Sequence, residues 1–252
     1  MPARFSILVA LMLLASCGTG PTPAPSPQDF VFEHFEAAGL AESVVVLAPG
    51  CGGVSDRAHT QPMRPLARRL AESGQHVVIA DYESAFGMRN TCNGGARLED
   101  VAEAIRLAAI QGTNRASRGD RLPVSLVGWS LGGSGVFIAG DRTGADRVVA
   151  LYPDCSPFAS LSQNIAYLVL TGEEDRLTPL SECADIRRRS EASGAQWVTY
   201  PGVYHGFDYK AFRGGQSVQA SAFSDGFVAV QYDEDASVDA HDRIIGFLDR
   251  QP

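Results

Sequence analysis

Ser130 stands between glycines in the run Gly128-Trp129-Ser130-Leu131-Gly132, with the apolar stretch LPVSLV before it and VFIAG after it. A serine hydroxyl is a poor nucleophile at neutral pH. It becomes a useful one when a base lies within hydrogen-bond reach and a third group orients that base. The pattern G-x-S-x-G recurs by chance, so its meaning rests on context: here a strand pattern precedes it and a helix pattern follows. In that setting the serine sits in a strained turn with its hydroxyl above the sheet, and the order along the chain is serine, acid, histidine. His34, His59 and His76 precede Ser130 and fall out. His241, inside DASVDAHDRIIGFL, reads as a solvated helical residue, which leaves His205, in PGVYHGFDY after the strand WVTYP, as the expected base. The acid has to come from between these two, at the end of a strand. AYLVLTGEEDRLTP supplies Glu173, Glu174 and Asp175. Asp175 is preferred because the loop needs a few residues to reach back over the sheet, and Glu174 stays open. Asp208, close to His205 in the chain, is expected to serve its own loop's hydrogen bonds.

Attack by serine on a carbonyl carbon creates an oxyanion that needs N–H donors. The Leu131 N–H, at the helix start, is one candidate, and the second should come from the loop PGCGG after the first strand, where glycines let amides approach a ligand. Cys51 is the first choice there and Gly52 the second.

These residues need a scaffold that brings them to one place. SVVVLAP (43 to 49), HVVIADY (76 to 82), VSLVGW (124 to 129), DRVVALYP (146 to 153) and AYLVLTG (166 to 172) are apolar runs that read as buried strands. Helical spacing appears near 62 to 73, 96 to 110, 131 to 140, 179 to 193 and 236 to 249. Such alternation predicts an α/β domain with a mostly parallel sheet covered on both faces. Residues 206 to 235 show no pattern that places them and are expected to border a cleft. Phe86, Trp129 and Tyr204 could line it, but packing is the preferred reading of each.

The 252 residues, 45% hydrophobic and 20% charged, suit one globular domain. A formal net charge of −8 provides no basic footprint, so nucleic acid is not an expected partner. Arg4 followed by FSILVALMLLAS has the form of a secretory leader and is too short to span a bilayer. Its end, LASC at 14 to 17, resembles the lipobox of bacterial lipoproteins, which implies cleavage leaving Cys17 as a lipidated N-terminus. The expected organisation is a leader over 1 to 16, a Pro-rich tether over 17 to 29 and a folded domain over 30 to 252, held on a membrane in the bacterial cell envelope. Four further cysteines, Cys51, Cys92, Cys155 and Cys183, favour two disulfides in an exported chain, with three pairings open. Neither a metal site nor a cofactor is expected, since no C-x-x-C or close Cys/His spacing occurs.

The segments APGCGG (48 to 53), IADYESAFGMRNTC (79 to 92), VGWSLGGS (127 to 134), ALYPDC (150 to 155), LTGEEDRLTPLSEC (170 to 183) and YPGVYHGFD (200 to 208) together resemble the dienelactone hydrolase family within the α/β-hydrolases. The resemblance runs from about 43 to 250 in the family's order. It implies an α/β-hydrolase fold with a sheet of about eight strands, a Ser130, Asp175, His205 triad, and hydrolysis of a small-molecule ester or lactone through an acyl-enzyme. It also suggests pairing Cys51 with Cys92 and Cys155 with Cys183. Two departures stand out: the family's namesake enzymes use a cysteine nucleophile, and Pro49, which lacks an N–H, stands where many similar exported members have histidine. A serine peptidase or amidase on the same fold, and a non-catalytic binding lipoprotein, are the competing readings, because a triad does not by itself choose between ester and amide.

Overall fold

The computed structural model describes residues 31–54, 62–83, 91–92, 97–219 and 226–249. The expected leader, Cys17 and tether lie outside the described residues, as do His59 and Phe86. β-branched and apolar residues form β2 (Ser43–Ala48), β3 (Gln75–Asp81), β4 (Val124–Trp129), β5 (Arg147–Leu151) and β6 (Ala166–Gly172), close to the expected limits. β7 (Gln196–Tyr200) completes the parallel series. β1 (Val31–Phe35), which the sequence patterns did not single out, pairs antiparallel with β3 and makes one edge of the sheet. Among the described residues the order is β1-β3-β2-β4-β5-β6-β7, a mostly parallel sheet of seven strands, in keeping with the sheet of about eight that the resemblance implies. A separate antiparallel pair, β8 (Gln216–Gln219) and β9 (Phe227–Val230), occupies part of the segment that carried no readable pattern.

Successive side chains of a strand point to opposite faces, so each central strand contributes to two cores. Val46, Ala48, Leu126, Val148, Ala150 and Val169 face helices α2 (Leu98–Ala116), α3 (Leu131–Thr143) and α4 (Ala184–Glu191). Val45, Leu47, Val127, Val149, Leu168 and Leu170 face α1 (Met63–Glu72) and α5 (Glu234–Leu248). Burial on both faces is why these strands read as continuous apolar runs. α2 extends past its expected end and through Gly112, where a Cβ would lie 2.8 Å from both Val44 and Val78 side chains. That glycine lets the helix approach β2 and β3; it is no stop signal. α5 begins two residues before its expected limit, with the Asp233 carboxylate accepting the Ala236 N–H and with Glu234 and Asp235 in the first turn.

Two disulfides cross-link loops at the C-terminal ends of the strands. Cys51, after β2, is bonded to Cys92, and Cys155, after β5, to Cys183 at the entry to α4. With sequence separations of 41 and 28 residues, chain-entropy reasoning assigns each bridge about 3 to 4 kcal/mol of restraint on the unfolded chain. Urea unfolding with and without reductant should therefore show a large loss of stability on reduction, and coincident curves would remove that role from the bridges.

At the opposite side of the sheet, His34 Nδ1 lies 3.1 Å from His76 Nε2, and His76 Nδ1 lies 3.2 Å from Glu36 Oε2. Glu36 is in turn bonded to Arg115. Burial holds both imidazoles below the ordinary value of 6.5; for His34 the neighbouring His76 and Arg115 add to this, while for His76 the Glu36 carboxylate opposes it. Because the unfolded chain accepts protons that the folded chain refuses, stability should fall as the pH drops through the ordinary histidine value, from about pH 7 towards about pH 5. His34→Gln should flatten that slope in equilibrium unfolding; an unchanged slope would assign it to other groups.

Candidate active site

Ser130 ends β4 and opens α3 with φ 51° and ψ −114°, a conformation that L-residues rarely adopt. Backbone bonds hold it there, its N–H donating to the Leu151 carbonyl at 2.9 Å and its carbonyl accepting the Ser134 N–H at 3.0 Å. The flanking glycines are required by space. A Cβ at 128 would lie 2.2 Å from the Gly132 carbonyl oxygen, and a Cβ at 132 would lie 2.2 Å from the Ala48 carbonyl oxygen.

His205 lies after β7, buried, and its Nε2 is 3.0 Å from Ser130 Oγ. Its Nδ1 is 2.7 Å from Asp175 Oδ2, so donation of the Nδ1–H to the carboxylate leaves the Nε2 lone pair facing the serine. Asp175 is 4% exposed, and its Oδ1 accepts the N–H groups of Leu177 and Thr178, each at 2.9 Å. Glu174, the open alternative, is turned towards Arg176 with its side chain 42% exposed. The acid and base loops are joined by backbone bonds, Glu173 N–H to the Tyr200 carbonyl at 3.0 Å and Glu174 N–H to the Val203 carbonyl at 2.9 Å. Thr178 Oγ1 lies 2.9 Å from Asp175 Oδ2, 3.2 Å from His205 Nδ1 and 3.1 Å from the Tyr152 carbonyl oxygen.

The loop after β2 lies against this group. A Cβ on Gly50 would be 3.3 Å from Ser130 Cβ. The Gly50 carbonyl accepts the buried Tyr82 hydroxyl at 2.5 Å and the Gly53 N–H at 2.9 Å. The Cys51 carbonyl accepts both the N–H and the hydroxyl of Thr91, at 2.9 and 3.0 Å. With both neighbouring peptide planes held, and with carbonyl and N–H opposed in a trans peptide, the Cys51 N–H is directed away from Tyr82. Among the described residues neither the Cys51 N–H nor the Leu131 N–H has an acceptor. Burial and the nearby Glu83 and Asp81 carboxylates raise the Tyr82 phenol above its ordinary value, so it stays protonated and donating.

One expectation is extended here and one is corrected. Asp208 serves more than its own loop: besides the bond from its own backbone N–H, its carboxylate accepts the Trp129 indole N–H at 2.7 Å and the Tyr152 hydroxyl at 2.5 Å. His241 is not a freely solvated helical residue, since its side chain is 27% exposed with Nε2 3.9 Å from Asp208 Oδ2. Trp129 is fully buried, as packing requires, and Tyr204 is half-buried beside the base. Thr178, Tyr152, Tyr82 and Thr91 were not singled out from sequence. Only Thr178 left a trace there, as a hydroxyl three residues after the acid.

A family model described as the dienelactone hydrolase family matches residues 33–251. Among solved structures, a putative dienelactone hydrolase from Klebsiella pneumoniae is 18% identical with a TM-score of 0.65, the alignment covering 88% of this chain and 93% of that one. A dienelactone hydrolase-like promiscuous phosphotriesterase from metagenomic libraries is 17% identical with a TM-score of 0.60, over 88% and 93%. A putative α/β hydrolase from Agrobacterium tumefaciens is 13% identical with a TM-score of 0.57, over 88% and 95%. At these identities the likeness establishes the α/β-hydrolase fold. No curated protein matches the chain.

Proposed function

The chain belongs to the dienelactone hydrolase family, and on that premise we propose that it is a serine hydrolase cleaving a small-molecule carboxylic ester or lactone through an acyl-enzyme. The observation that carries this reading is the continuous line of contacts from Ser130 Oγ to His205 Nε2, 3.0 Å, and from His205 Nδ1 to Asp175 Oδ2, 2.7 Å. His205 Nε2 takes the hydroxyl proton as Ser130 Oγ bonds to the carbonyl carbon, and Asp175, held in place by two backbone donors and the Thr178 hydroxyl, stabilises the resulting imidazolium. The carbonyl oxygen becomes an oxyanion that the N–H groups of Cys51 and Leu131 receive, already oriented before the reaction. Collapse breaks the bond to the leaving oxygen, which takes the proton from Nε2. Water then attacks the acyl-serine with the same base, and the second collapse releases the carboxylic acid and restores Ser130. From a lactone the product is a single hydroxy acid, since the leaving hydroxyl remains attached to the acyl chain. Tethering to a membrane through a lipidated Cys17 is part of the same proposal and rests on LASC at 14 to 17.

A fluorophosphonate should label one site, Ser130, in stoichiometric amount; Ser130→Ala should abolish labelling, and His205→Ala should slow it by about 1,000-fold. Labelling that persists in Ser130→Ala would overturn the mechanism. A panel of p-nitrophenyl esters beside the matching anilides separates ester from amide hydrolysis, with the esters expected to turn over. Tyr82→Phe removes one oxygen and releases the Gly50 carbonyl, so kcat should fall about 10-fold with KM little altered, because the misdirected Cys51 N–H matters in the transition state more than in the ground state. An unchanged kcat would separate Tyr82 from the oxyanion site.

A further inference from the structure

A carboxylate buried away from water persists where donors take up its lone pairs. Asp208 is 2% exposed, with Oδ2 on the Trp129 indole N–H and Oδ1 on the Tyr152 hydroxyl. Burial raises its carboxyl above the ordinary value; His241, Tyr152 and Trp129 act in the opposite direction. Neither donor is a remote packing residue. Trp129 is joined directly to Ser130. The Tyr152 ring packs against the His205 imidazole, with centroids 4.6 Å apart and planes at 60°, and its carbonyl faces the Thr178 hydroxyl that also contacts Asp175. Tyr152 has φ 39°, the second positive value at a non-glycine residue among those described, and such a conformation survives only where its surroundings hold it.

We propose that Asp208 is a positioning residue whose carboxylate ties the ends of β4 and β5 to the base loop, and so holds all three members of the triad at one remove. The inference rests on the serine-hydrolase reading. Asp208 does not exchange a proton with the imidazole; Asp175 occupies that place. Its contribution is to keep the Tyr152 ring as a fixed wall behind His205, so that Nε2 remains at Ser130 Oγ while the proton crosses and returns. Fixing a base in this way matters because small displacements of reacting groups cost large factors in rate.

The test compares wild-type protein with Asp208→Ala, Asp208→Asn and Tyr152→Phe, using p-nitrophenyl butyrate as substrate and fluorophosphonate labelling as a count of competent sites. Asp208→Ala should lower kcat per labelled site by about 100-fold and Tyr152→Phe by about 10-fold, with KM within about threefold of wild type. Asp208→Asn keeps an acceptor for Trp129 and a polar partner for Tyr152, and should recover part of the loss. A packing role alone would lower the melting temperature and leave kcat per site intact, and that result in folded Asp208→Ala overturns the proposal. Should Asp208→Ala not fold, Tyr152→Phe decides, because it deletes one oxygen and keeps the ring: wild-type kcat in that variant overturns the proposal. A wild-type protein that labels but is insensitive to these changes refutes Asp208 alone, whereas a wild-type protein that neither labels nor turns over refutes the serine-hydrolase reading and this inference with it.

Discussion

The carbonyl oxygen of Ala48 lies 2.2 Å from the point where a methyl group on Gly132 would have to sit, and the carbonyl of Gly132 stands in the same relation to Gly128. These contacts press the first turn of α3 onto the ends of β2 and β4 more closely than any side chain would allow. The remaining geometry of the rim follows from this approach. Ser130 is forced into a positive φ, the Leu131 N–H, which has no acceptor among the described residues, opens the helix beside it, and the loop carrying Cys51 is held against the same turn. Parallel pairing of β2, β4, β5, β6 and β7 then brings the loops that follow these strands to one edge.

Two buried carboxylates stand near His205, and their partners explain why they take different parts. Asp175 receives backbone N–H groups on one oxygen and presents the other to the imidazole. Asp208 has both oxygens engaged by an indole and a phenol and has none to offer the base. Proximity in the chain would have favoured Asp208, three residues from His205; hydrogen-bond satisfaction favours Asp175, thirty residues away. The same economy governs the loop after β2, where the carbonyls of Gly50 and Cys51 are occupied while the Cys51 N–H has no acceptor among the described residues. Preorganisation at this rim thus comes from polar groups paired with one another, reinforced by two disulfides between the same loops.

The central strands were legible because both faces are buried, which writes a continuous β-branched run, and the motif around Ser130 was legible because close backbone contact admits only glycine at 128 and 132. β1 and the β8–β9 pair were not, since short strands at an edge or outside the main sheet need no such run; β8 is largely exposed. The extent of α2 was not legible either: Gly112 lies inside the helix for the sake of Val44 and Val78, residues distant in sequence.

By itself the sequence determined the class of fold, the strained turn at Ser130 and, through the order of residues along such a fold, a candidate base and a short choice of candidate acids. These features follow from local periodicity and from steric limits on individual residues, which are properties of neighbouring positions. Tertiary structure alone decided that Asp175 rather than Glu174 meets His205, that Tyr82 and Thr91 set the direction of the Cys51 amide, and that Asp208 joins Trp129 to Tyr152. Hydrogen bonds between residues as many as 79 positions apart impose no spacing on the chain, so they become visible only when folding has brought donors and acceptors together.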